Sequence, residues 1–448
     1  MTATPPLDPP PETVDTIILL SVDSLRLDRI HAERNGKQLM PAVTALAEEA
    51  VEFETGISPG PATADSVPAM LTGAYPSQFS GFSLPPAGSE PRTIAERLAD
   101  RGFTSAAFHQ NNLITRRYNF DRGFDHYYDI SEETREETGQ GTWRLKVRNL
   151  IEDTPLMKVA RWVQTQAMER FGKSLYVLDE PGDSLTDRAL DWLDDAESKR
   201  FLWMHYMDTH HPYLSPPEVQ RRFGREIPEE RLLQLSRKAR SDAETLTDEE
   251  VEDLVYAYDC AVRFVDEQIR RVIDHLEDTG HLDDAMVVVT ADHGEEFMEH
   301  GEFGHRTSLW DELITVPLIV KHPDVKARTV EGQAPVQLIP DTLVEGTGLF
   351  EAVNGGVEYV VAETSAGRDG IRCCRGNGFK LVLDGDERIV TRIDEDGERV
   401  VTDSEVSDDV LDELEERLDE THESYGDTGD IDEEALREDL AALGYLDE

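Results

Sequence analysis

Short apolar runs alternate with amphipathic helical patterns along most of the chain, and this alternation restricts the fold more than any other feature. The clearest run is TIILLSV at residues 16–22, which is followed at once by Asp23. A continuous apolar run of this length is typical of a parallel strand that is buried on both faces. A helical pattern followed by a similar run recurs at residues 41–56, 93–108, 183–208 and 248–294. We therefore predict an α/β fold in which helices cover both faces of a mostly parallel sheet.

The alternation stops near residue 346, and this change sets the predicted domain boundaries. Residues 1–14 are rich in proline and are predicted to form a flexible arm in front of a catalytic domain at 15–345. Residues 346–402 contain short runs that predict a small antiparallel sheet, and residues 403–448 predict an acidic helical tail.

The formal net charge of −50 excludes one class of partner. Acidic residues number 94 against 44 lysines and arginines, and they are spread along the whole chain. Such a surface repels a phosphate backbone, so we expect no nucleic-acid partner. It is also typical of halophilic proteins, which predicts a protein of haloarchaeal type.

The N-terminal sequence and the cysteines bear on localisation. The first 15 residues lack a basic segment followed by a long apolar run, and residues 16–22 are too short for a membrane span of roughly 20 residues. Cys260, Cys373 and Cys374 are too few and too unevenly spaced for a framework of disulfides. We expect a cytoplasmic protein with reduced thiols, and its oligomeric state stays open.

A basic segment at residues 144–173 interrupts the acidic sequence. It holds seven lysines and arginines against three acidic residues, and it includes Trp162. Two interpretations stay open. The segment is either a surface helix paired with acidic neighbours, or a lid-like insertion that attracts an anionic substrate or transiently contacts an anionic lipid or glycan.

Ionisable residues follow three of the predicted strands at the point where each strand ends. Asp23 follows the first run, and the stretches WMHYMDTHHPY and TADHGEEFMEHGEFGH follow two others. The carboxyl ends of parallel strands meet at one edge of a sheet, which is where ligands bind. Burying carboxylates there without a counter-charge is costly, whereas carboxylates and imidazoles together are ordinary metal ligands. The sequence therefore predicts a metal site at this edge.

Several of these residues also have a purely structural interpretation. Asp23, Asp292 or Thr63 could cap the N-terminus of a helix. His205 is expected to point into the core, because it alternates with outward-facing neighbours along its strand. His300 and the glutamates around it could belong to a solvated loop.

A set of motifs occurs in the order typical of one enzyme family. They are VDSLRLD, PAMLTGAYPSQ, HYMDTHHPY, TADHGEEFMEHGEFGH and SLWDELITVPLIV, followed later by IRCCRGNGFKLVLD and LAALGYL. Together they resemble the sulfatase-like branch of the alkaline phosphatase superfamily, from about residue 15 to residue 446. The resemblance implies an alkaline-phosphatase-like fold and a metal-dependent hydrolase of sulfate or phosphate esters that acts through a covalent intermediate.

The resemblance also implies the nucleophile. In the family this residue stands ten positions before the glycine of LTG, which is Gly73 here, so Thr63 takes its place. Typical sulfatases carry a Cys or Ser there that is converted to formylglycine within C/S-x-P-x-R, whereas residues 64–67 are Ala, Asp, Ser and Val. We therefore expect no formylglycine. An unmodified Thr is similar to the phosphodiesterase and phosphotransferase branches, so the expected small anionic substrate is a phosphoester or phosphodiester.

The metal ligands that the resemblance carries over are Asp23, Asp292 and His293. An imidazole in the set favours manganese or zinc, while calcium or magnesium is still compatible. Asp-x-x-x-His, which marks a second metal in the phosphodiesterases, fails here because Pro212 follows Asp208 at that spacing. A second metal is therefore not favoured, and the number of ions stays open.

The other motif residues are expected to contact the substrate. His210 and His305 are assigned, with Thr63, as catalytic residues that contact the transferred group or assist the leaving oxygen. The expected substrate-binding residues are Ser66, Asn111, Asp208 and His211.

Two rival functions stay open. One is a transferase that moves a phospho-headgroup to a lipid or glycan, which the basic segment 144–173 favours. The other is a non-catalytic member that binds an anionic ligand, which the full set of metal-type residues disfavours.

Overall fold

The computed structural model describes residues 14–79, 83–129, 182–196, 199–305, 307–364, 370–394 and 397–419. Three segments with predictions lie outside this part of the chain: the arm up to residue 13, the basic segment 144–173, and the end of the acidic tail from residue 420.

Eight strands form the central sheet, in the order β8-β2-β7-β6-β1-β5-β3-β4. The strands are β1 Thr16–Val22, β2 Val51–Ile57, β3 Thr104–His109, β4 His126–Asp129, β5 Arg200–Tyr206, β6 Ala285–Ala291, β7 Thr315–Lys321 and β8 Arg328–Pro335. Strand β7 runs antiparallel to both of its neighbours, and the other strands run parallel to one another. Strands β1, β5 and β6 are buried at every position, as expected for central strands covered on both faces.

Helices connect most of these strands. Within the described residues they are α1 Pro41–Ala47, α2 Thr63–Thr72, α3 Ile94–Ala99, α4 Gly182–Asp195, α5 Pro217–Phe223, α6 Glu229–Ser241, α7 Asp248–Asp278, α8 Asp311–Ile314, α9 Ile339–Glu345 and α10 Asp408–Asp419. Helix α7 begins with a capping box between Thr247 and Glu250, and it packs against α1 and α4. Its apolar face repeats every three to four residues, and that periodicity explains why it is buried on one side only.

Shorter elements complete the central domain. Single 3₁₀ turns lie at Leu27–Arg29, Pro76–Gln78, Arg116–Tyr118, Ala243–Thr245, Val336–Leu338, Gly348–Phe350, Ala352–Asn354 and, near the C-terminus, Asp403–Glu405. Two-residue strands pair antiparallel at Glu33–Arg34 with Lys37–Gln38, and at Glu296–Phe297 with Phe303–Gly304. No helix in the described part of the chain is both long enough and apolar enough to cross a membrane.

A second, antiparallel sheet follows, with its five strands paired in chain order. They are β9 Tyr359–Glu363, β10 Arg372–Gly376, β11 Phe379–Asp384, β12 Glu387–Asp394 and β13 Gly397–Val401, and α10 packs against them. The fully buried ammonium of Lys380 ties this sheet to α8, because it donates to Asp311 Oδ1 at 2.9 Å and to Glu398 Oε2 at 2.6 Å. The predicted fold class is thus confirmed: a mostly parallel sheet flanked by helices, followed by a small antiparallel sheet.

Candidate active site

The candidate site is built where the three central strands end. In the register of the sheet, Val22 of β1 lies beside Tyr206 of β5 and Ala291 of β6. The residues that follow are therefore brought to one edge, and Asp23 and Asp292 are both fully buried there. Neither carboxylate caps a helix: Asp292 Oδ1 accepts the backbone N–H groups of Ser24, at 3.2 Å, and of His293, at 2.8 Å.

Thr63 enters the site from the turn between β2 and α2. Helix α2 begins at Thr63 with Ala62 as its N-cap, so the Thr63 side chain is not the cap. Its Oγ1 lies 2.8 Å from Asp292 Oδ2 and 3.1 Å from Asp23 Oδ2. A hydroxyl has one proton, so it can donate to only one of these two carboxylates at a time. The Thr63 oxygen is nevertheless within hydrogen-bond distance of both carboxylates.

His293 closes a third side of this group. Its Nε2 lies 3.5 Å from Thr63 Oγ1, 3.6 Å from Asp292 Oδ2 and 3.9 Å from Asp23 Oδ1. Its Nδ1 donates to the carbonyl of Gly294 at 2.8 Å, which fixes Nε2 as the nitrogen facing the carboxylates. Burial opposes a positive charge here, but Asp292 and Asp23 outweigh it and raise the pKa of His293.

His205 is a member of the site that sequence analysis missed, because its place on a strand predicts a core residue. It is fully buried, yet its Nε2 lies 3.5 Å from Asp23 Oδ2 and 4.0 Å from Asp292 Oδ2. Its Nδ1 lies 2.9 Å from Ser21 Oγ. The sequence shows only that Ser21 and Thr290 are polar residues inside apolar strands; the register of the sheet then pairs Ser21 with both His205 and Thr290.

The electrostatics of the carboxylate pair fit a divalent cation. Burial raises the pKa of Asp292, and the negative charge of Asp23 raises it further. For Asp23 burial acts in the same direction, but His210, His205 and His293 together hold its pKa well below the usual range. Two buried carboxylates with imidazoles and a hydroxyl are the donors that transition metals take in proteins. Asp23, His205 and Asp292 also have ligand atoms close enough to share one ion.

A group of three histidines adjoins the carboxylate pair. The rings of His210 and His211 stack at 4.2 Å, and the ring of His305 lies 5.1 Å and 5.8 Å from them. The ring of His305 also lies 4.5 Å from the ring of His293, so the histidine group is directly adjacent to the carboxylate site. Burial lowers the pKa of His210 and of His211, which favours neutral rings.

Glu295 stands behind this histidine group. It is fully buried, and its Oε1 lies 3.1 Å from His305 Nδ1. Burial raises its pKa to about 7. The residue belongs to the motif TADHGEEFMEHGEFGH, but the motif alone assigns it no role of its own.

The remaining expected substrate-binding residues differ in where they lie. Asn111 reaches the site, with Nδ2 at 3.3 Å from Asp23 Oδ2. Ser66 Oγ instead contacts the carbonyls of Gly60, at 2.9 Å, and of Ala62, at 3.0 Å, inside the turn before α2. Asp208 Oδ1 accepts the N–H of the first residue of α4 at 3.2 Å, and burial raises the pKa of this carboxyl to about 7.

Comparison with known structures identifies the fold. The phosphonate monoester hydrolase SpPMH from Silicibacter pomeroyi matches with a TM-score of 0.63 at 19% identity, over 90% of this chain and 94% of that one. The phosphonate monoester hydrolase of Agrobacterium radiobacter matches with a TM-score of 0.64 at 16% identity, over 96% of each chain. The fold is alkaline-phosphatase-like.

Within that class the family is defined by sequence. The Sulfatase family model matches residues 15–349, which is most of the chain, so the protein belongs to the Sulfatase family. The uncharacterized sulfatase YidJ of Escherichia coli (strain K12) is 23% identical over 321 residues, which make up 64% of this chain and 59% of that protein. The resemblance drawn from the motifs is thereby confirmed.

Proposed function

We propose that this protein is a metal-dependent hydrolase of phosphate esters that uses Thr63 as its nucleophile. The observation that carries the proposal is the position of Thr63 Oγ1, which both buried carboxylates approach within 3.1 Å. A threonine kept only for packing or for helix capping has no need of two carboxylates at its hydroxyl. Membership of the Sulfatase family supports the broader class, which is hydrolysis of sulfate or phosphate esters.

Asp23, Asp292 and His293 would hold the metal, with Mn²⁺ or Zn²⁺ favoured over Ca²⁺ or Mg²⁺ by the imidazole donor. A divalent cation at this place lowers the pKa of a hydroxyl beside it and offsets negative charge on the transferred group. The chain itself supplies the orientation: α2 fixes the Thr63 hydroxyl, and the hydrogen bond to Gly294 fixes the His293 ring.

The reaction proceeds in two steps. Thr63 Oγ1 attacks phosphorus, the alcohol of the ester leaves with a proton, and a phosphothreonine remains. Water then attacks phosphorus, restores the threonine hydroxyl and releases phosphate. His210 and His305 line the side of the site that receives the transferred group, and the N-terminus of α2 favours its negative charge.

A formylglycine is not part of this proposal. Position 63 is a threonine, and the three cysteines lie elsewhere: Cys260 in α7, and Cys373 and Cys374 in β10.

The test compares Thr63→Val with Thr63→Ser. Valine keeps the shape of threonine without the hydroxyl, and serine keeps the hydroxyl. Wild type, assayed in high salt with added Mn²⁺, Zn²⁺ or Ca²⁺, should turn over nitrophenyl phosphate or bis-nitrophenyl phosphate faster than nitrophenyl sulfate. Thr63→Val should lose at least about 1,000-fold in kcat, by comparison with other lost nucleophiles, whereas Thr63→Ser should retain measurable turnover.

Each other result contradicts a defined part of the proposal. Undiminished turnover in Thr63→Val would mean that Thr63 is not the nucleophile. Preference for nitrophenyl sulfate with Ca²⁺ would make the protein a sulfatase in activity. Transfer of phosphate to an added lipid or glycan in place of water would favour the transferase. Tight binding of phosphate or sulfate with no turnover of any ester would favour a non-catalytic anion-binding protein.

A further inference from the structure

Ser24 links the two buried carboxylates of the site from a left-handed backbone conformation. Its φ is 57°, in a region that residues other than glycine seldom adopt. In this conformation its N–H lies 3.2 Å from Asp292 Oδ1, and its hydroxyl donates to Asp23 Oδ1 at 2.8 Å. Ser24 is fully buried, so both contacts are shielded from water. The relative position of the two carboxylates therefore depends on Ser24 keeping an unfavourable conformation.

A left-handed serine needs support from its surroundings, because this conformation costs free energy in an L-residue. The support comes from Tyr258, which projects from α7 and is fully buried. Its hydroxyl donates to the carbonyl of Ser24 at 2.7 Å and accepts the N–H of Arg26 at 2.9 Å. One oxygen atom from a distant helix thus holds the backbone on both sides of Leu25.

The ring of Tyr258 is held in place by other aromatic side chains. It lies 5.4 Å from the ring of Tyr213 and 4.8 Å from the ring of Phe297, and both pairs are edge-to-face. Aromatic pairs prefer this arrangement, so it favours one orientation of the Tyr258 ring. The hydroxyl is therefore held at one position, from which it keeps the Ser24 carbonyl in place.

We propose that Tyr258 is a positioning residue for the metal site, which acts through Ser24 to set the relative position of Asp23 and Asp292. The hydrogen bonds of its hydroxyl go to the backbone of Ser24 and Arg26, so its effect on the carboxylates passes through the chain. Residues that orient metal ligands without touching the metal typically change its affinity 10- to 100-fold when they are removed. The inference rests on the proposed function, because it requires the carboxylate pair to hold a divalent cation.

Tyr256 makes an equivalent contact away from the site and provides a matched control. It lies on α7 two residues before Tyr258 and is also buried. Its hydroxyl lies 2.7 Å from the carbonyl of Gln220 and 2.6 Å from that of Arg225, and it accepts the N–H of Arg225 at 3.1 Å. Loss of either hydroxyl leaves buried backbone groups without a partner and should destabilise the fold. Of the two tyrosines, Tyr258 is the one that bonds to the residue linking the carboxylates.

The test compares metal affinity in Tyr258→Phe and Tyr256→Phe, each of which loses one hydroxyl and keeps its ring. The Kd for Zn²⁺ is measured on the full chain by competition with a chelating dye, in high salt that screens the acidic surface. Tyr258→Phe should raise this Kd by about 10- to 100-fold, and Tyr256→Phe should leave it unchanged. The midpoint of thermal unfolding without metal should fall by a similar amount in both variants.

Ser24→Gly tests the route by which Tyr258 acts. Glycine adopts this φ without strain but lacks the hydroxyl that reaches Asp23. The variant should weaken Zn²⁺ binding by itself. Adding Tyr258→Phe should then weaken binding by less than the product of the two single effects, because both residues act on the same carboxylates. Ser24→Gly alone also carries the test if Tyr258→Phe fails to fold.

Three results would overturn the inference. The first is equal Zn²⁺ affinity in folded Tyr258→Phe and wild type. The second is an equal loss of affinity in Tyr256→Phe and Tyr258→Phe, which would mean that the loss reflects only the stability of α7. The third is wild-type affinity in Ser24→Gly, or full multiplication of the two single effects, since either would mean that Tyr258 does not act through Ser24.

Failure of the proposed function gives different results. A wild type that binds no Zn²⁺ would overturn the metal dependence of the proposed function and this inference with it. Undiminished turnover in Thr63→Val would contradict the proposed nucleophile, and the Zn²⁺ affinities of the tyrosine variants would stay as predicted.

Discussion

Asp23 and Asp292 are two buried carboxylates that meet at one hydroxyl, and this sets the balance between stability and function in the site. Their pKa values move apart: burial and the charge of Asp23 raise that of Asp292, while three histidines hold that of Asp23 down against burial. Like charges this close are unfavourable in the chain alone. The carboxylate pair is therefore expected to destabilise the metal-free protein, and a bound cation is expected to restore the lost stability.

Asp292→Asn tests this balance. The amide removes one negative charge, so the metal-free variant should be more stable than metal-free wild type. It should also bind metal about 100-fold more weakly or worse, and so lose the ~2.7 kcal/mol that a ligand at 100 times its Kd supplies. Thermal unfolding with and without Mn²⁺ or Zn²⁺ measures both effects.

The control for Asp292→Asn is Asp266→Asn. Asp266 is also a buried aspartate, but it accepts the N–H groups of Ala42 and Val43 at the start of α1. Its variant should respond to metal as wild type does. An Asp292→Asn protein that is less stable without metal and equally stabilised by it would show that the carboxylate is structural.

The sequence could identify those site residues that mark the end of an apolar strand. Asp23 and Asp292 interrupt apolar runs, so their places at one sheet edge follow from the sequence alone. His205 could not be assigned in this way, because alternation along a strand says only that a side chain points inward. It cannot distinguish a packed core from a buried polar site, and that distinction depends on the register that joins His205 to Ser21 and Thr290.

At the scale of elements, the turn between β2 and α2 fixes the proposed nucleophile. Gly60 lies in this turn, and a Cβ there would collide with the Asp65 side chain and come within 2.7 Å of the carbonyl of Glu363. Glu363 closes β9 of the small sheet, and its N–H donates to the carbonyl of Pro59 at 2.8 Å. The second sheet thus supports the turn from which Thr63 projects.

Gly60→Ala should therefore reduce activity only because it displaces the Thr63 hydroxyl. Relieving the collision requires α2 or the Glu363 backbone to move, and a displacement of about 1 Å at a reacting atom costs on the order of 100-fold in rate. We expect kcat to fall by about that factor with a smaller change in KM, and steady-state assays with a nitrophenyl phosphate ester measure both.

Gly88→Ala is the matched control for Gly60→Ala. It has φ +81° with open space around its Cβ, so alanine there should cost about 1–2 kcal/mol of backbone strain and leave kcat unchanged. Equal kcat values in Gly60→Ala and wild type would mean that the turn tolerates displacement and that the small sheet does not position Thr63.

Helices with a clear periodicity of apolar residues could be predicted from the sequence, whereas the direction of a strand in the sheet could not. Helix α7 keeps one apolar face over its 31 residues, so its existence and approximate ends follow from the pattern. The reversal of β7 has no such signal. A parallel strand needs a crossover of a dozen or more residues, usually a helix, and between β6 and β7 the described residues form only a short hairpin and the four-residue α8.

At the scale of the whole molecule, the net charge of −50 is the main influence on stability that packing of the core does not account for. In the described part of the chain, the main core and the two smaller apolar clusters consist of buried side chains, so apolar burial stabilises the fold in the usual way. Self-repulsion of an anionic surface opposes the compact state at low ionic strength. Screening should therefore change the stability of the folded protein more than it changes the chemistry of the buried site.

We expect the midpoint of thermal unfolding to rise steeply with KCl and most of the rise to occur below 1 M. The reason is the screening length, which falls from ~10 Å at 0.1 M to ~3 Å at 1 M, so repulsion between neighbouring surface carboxylates is largely removed over that range. Sucrose at matched water activity is the control, because it favours compact states without screening charge. A midpoint that is flat below 1 M and rises only above it, or that sucrose reproduces, would mean that the acidic surface acts through hydration, and that charge repulsion is not what limits this fold.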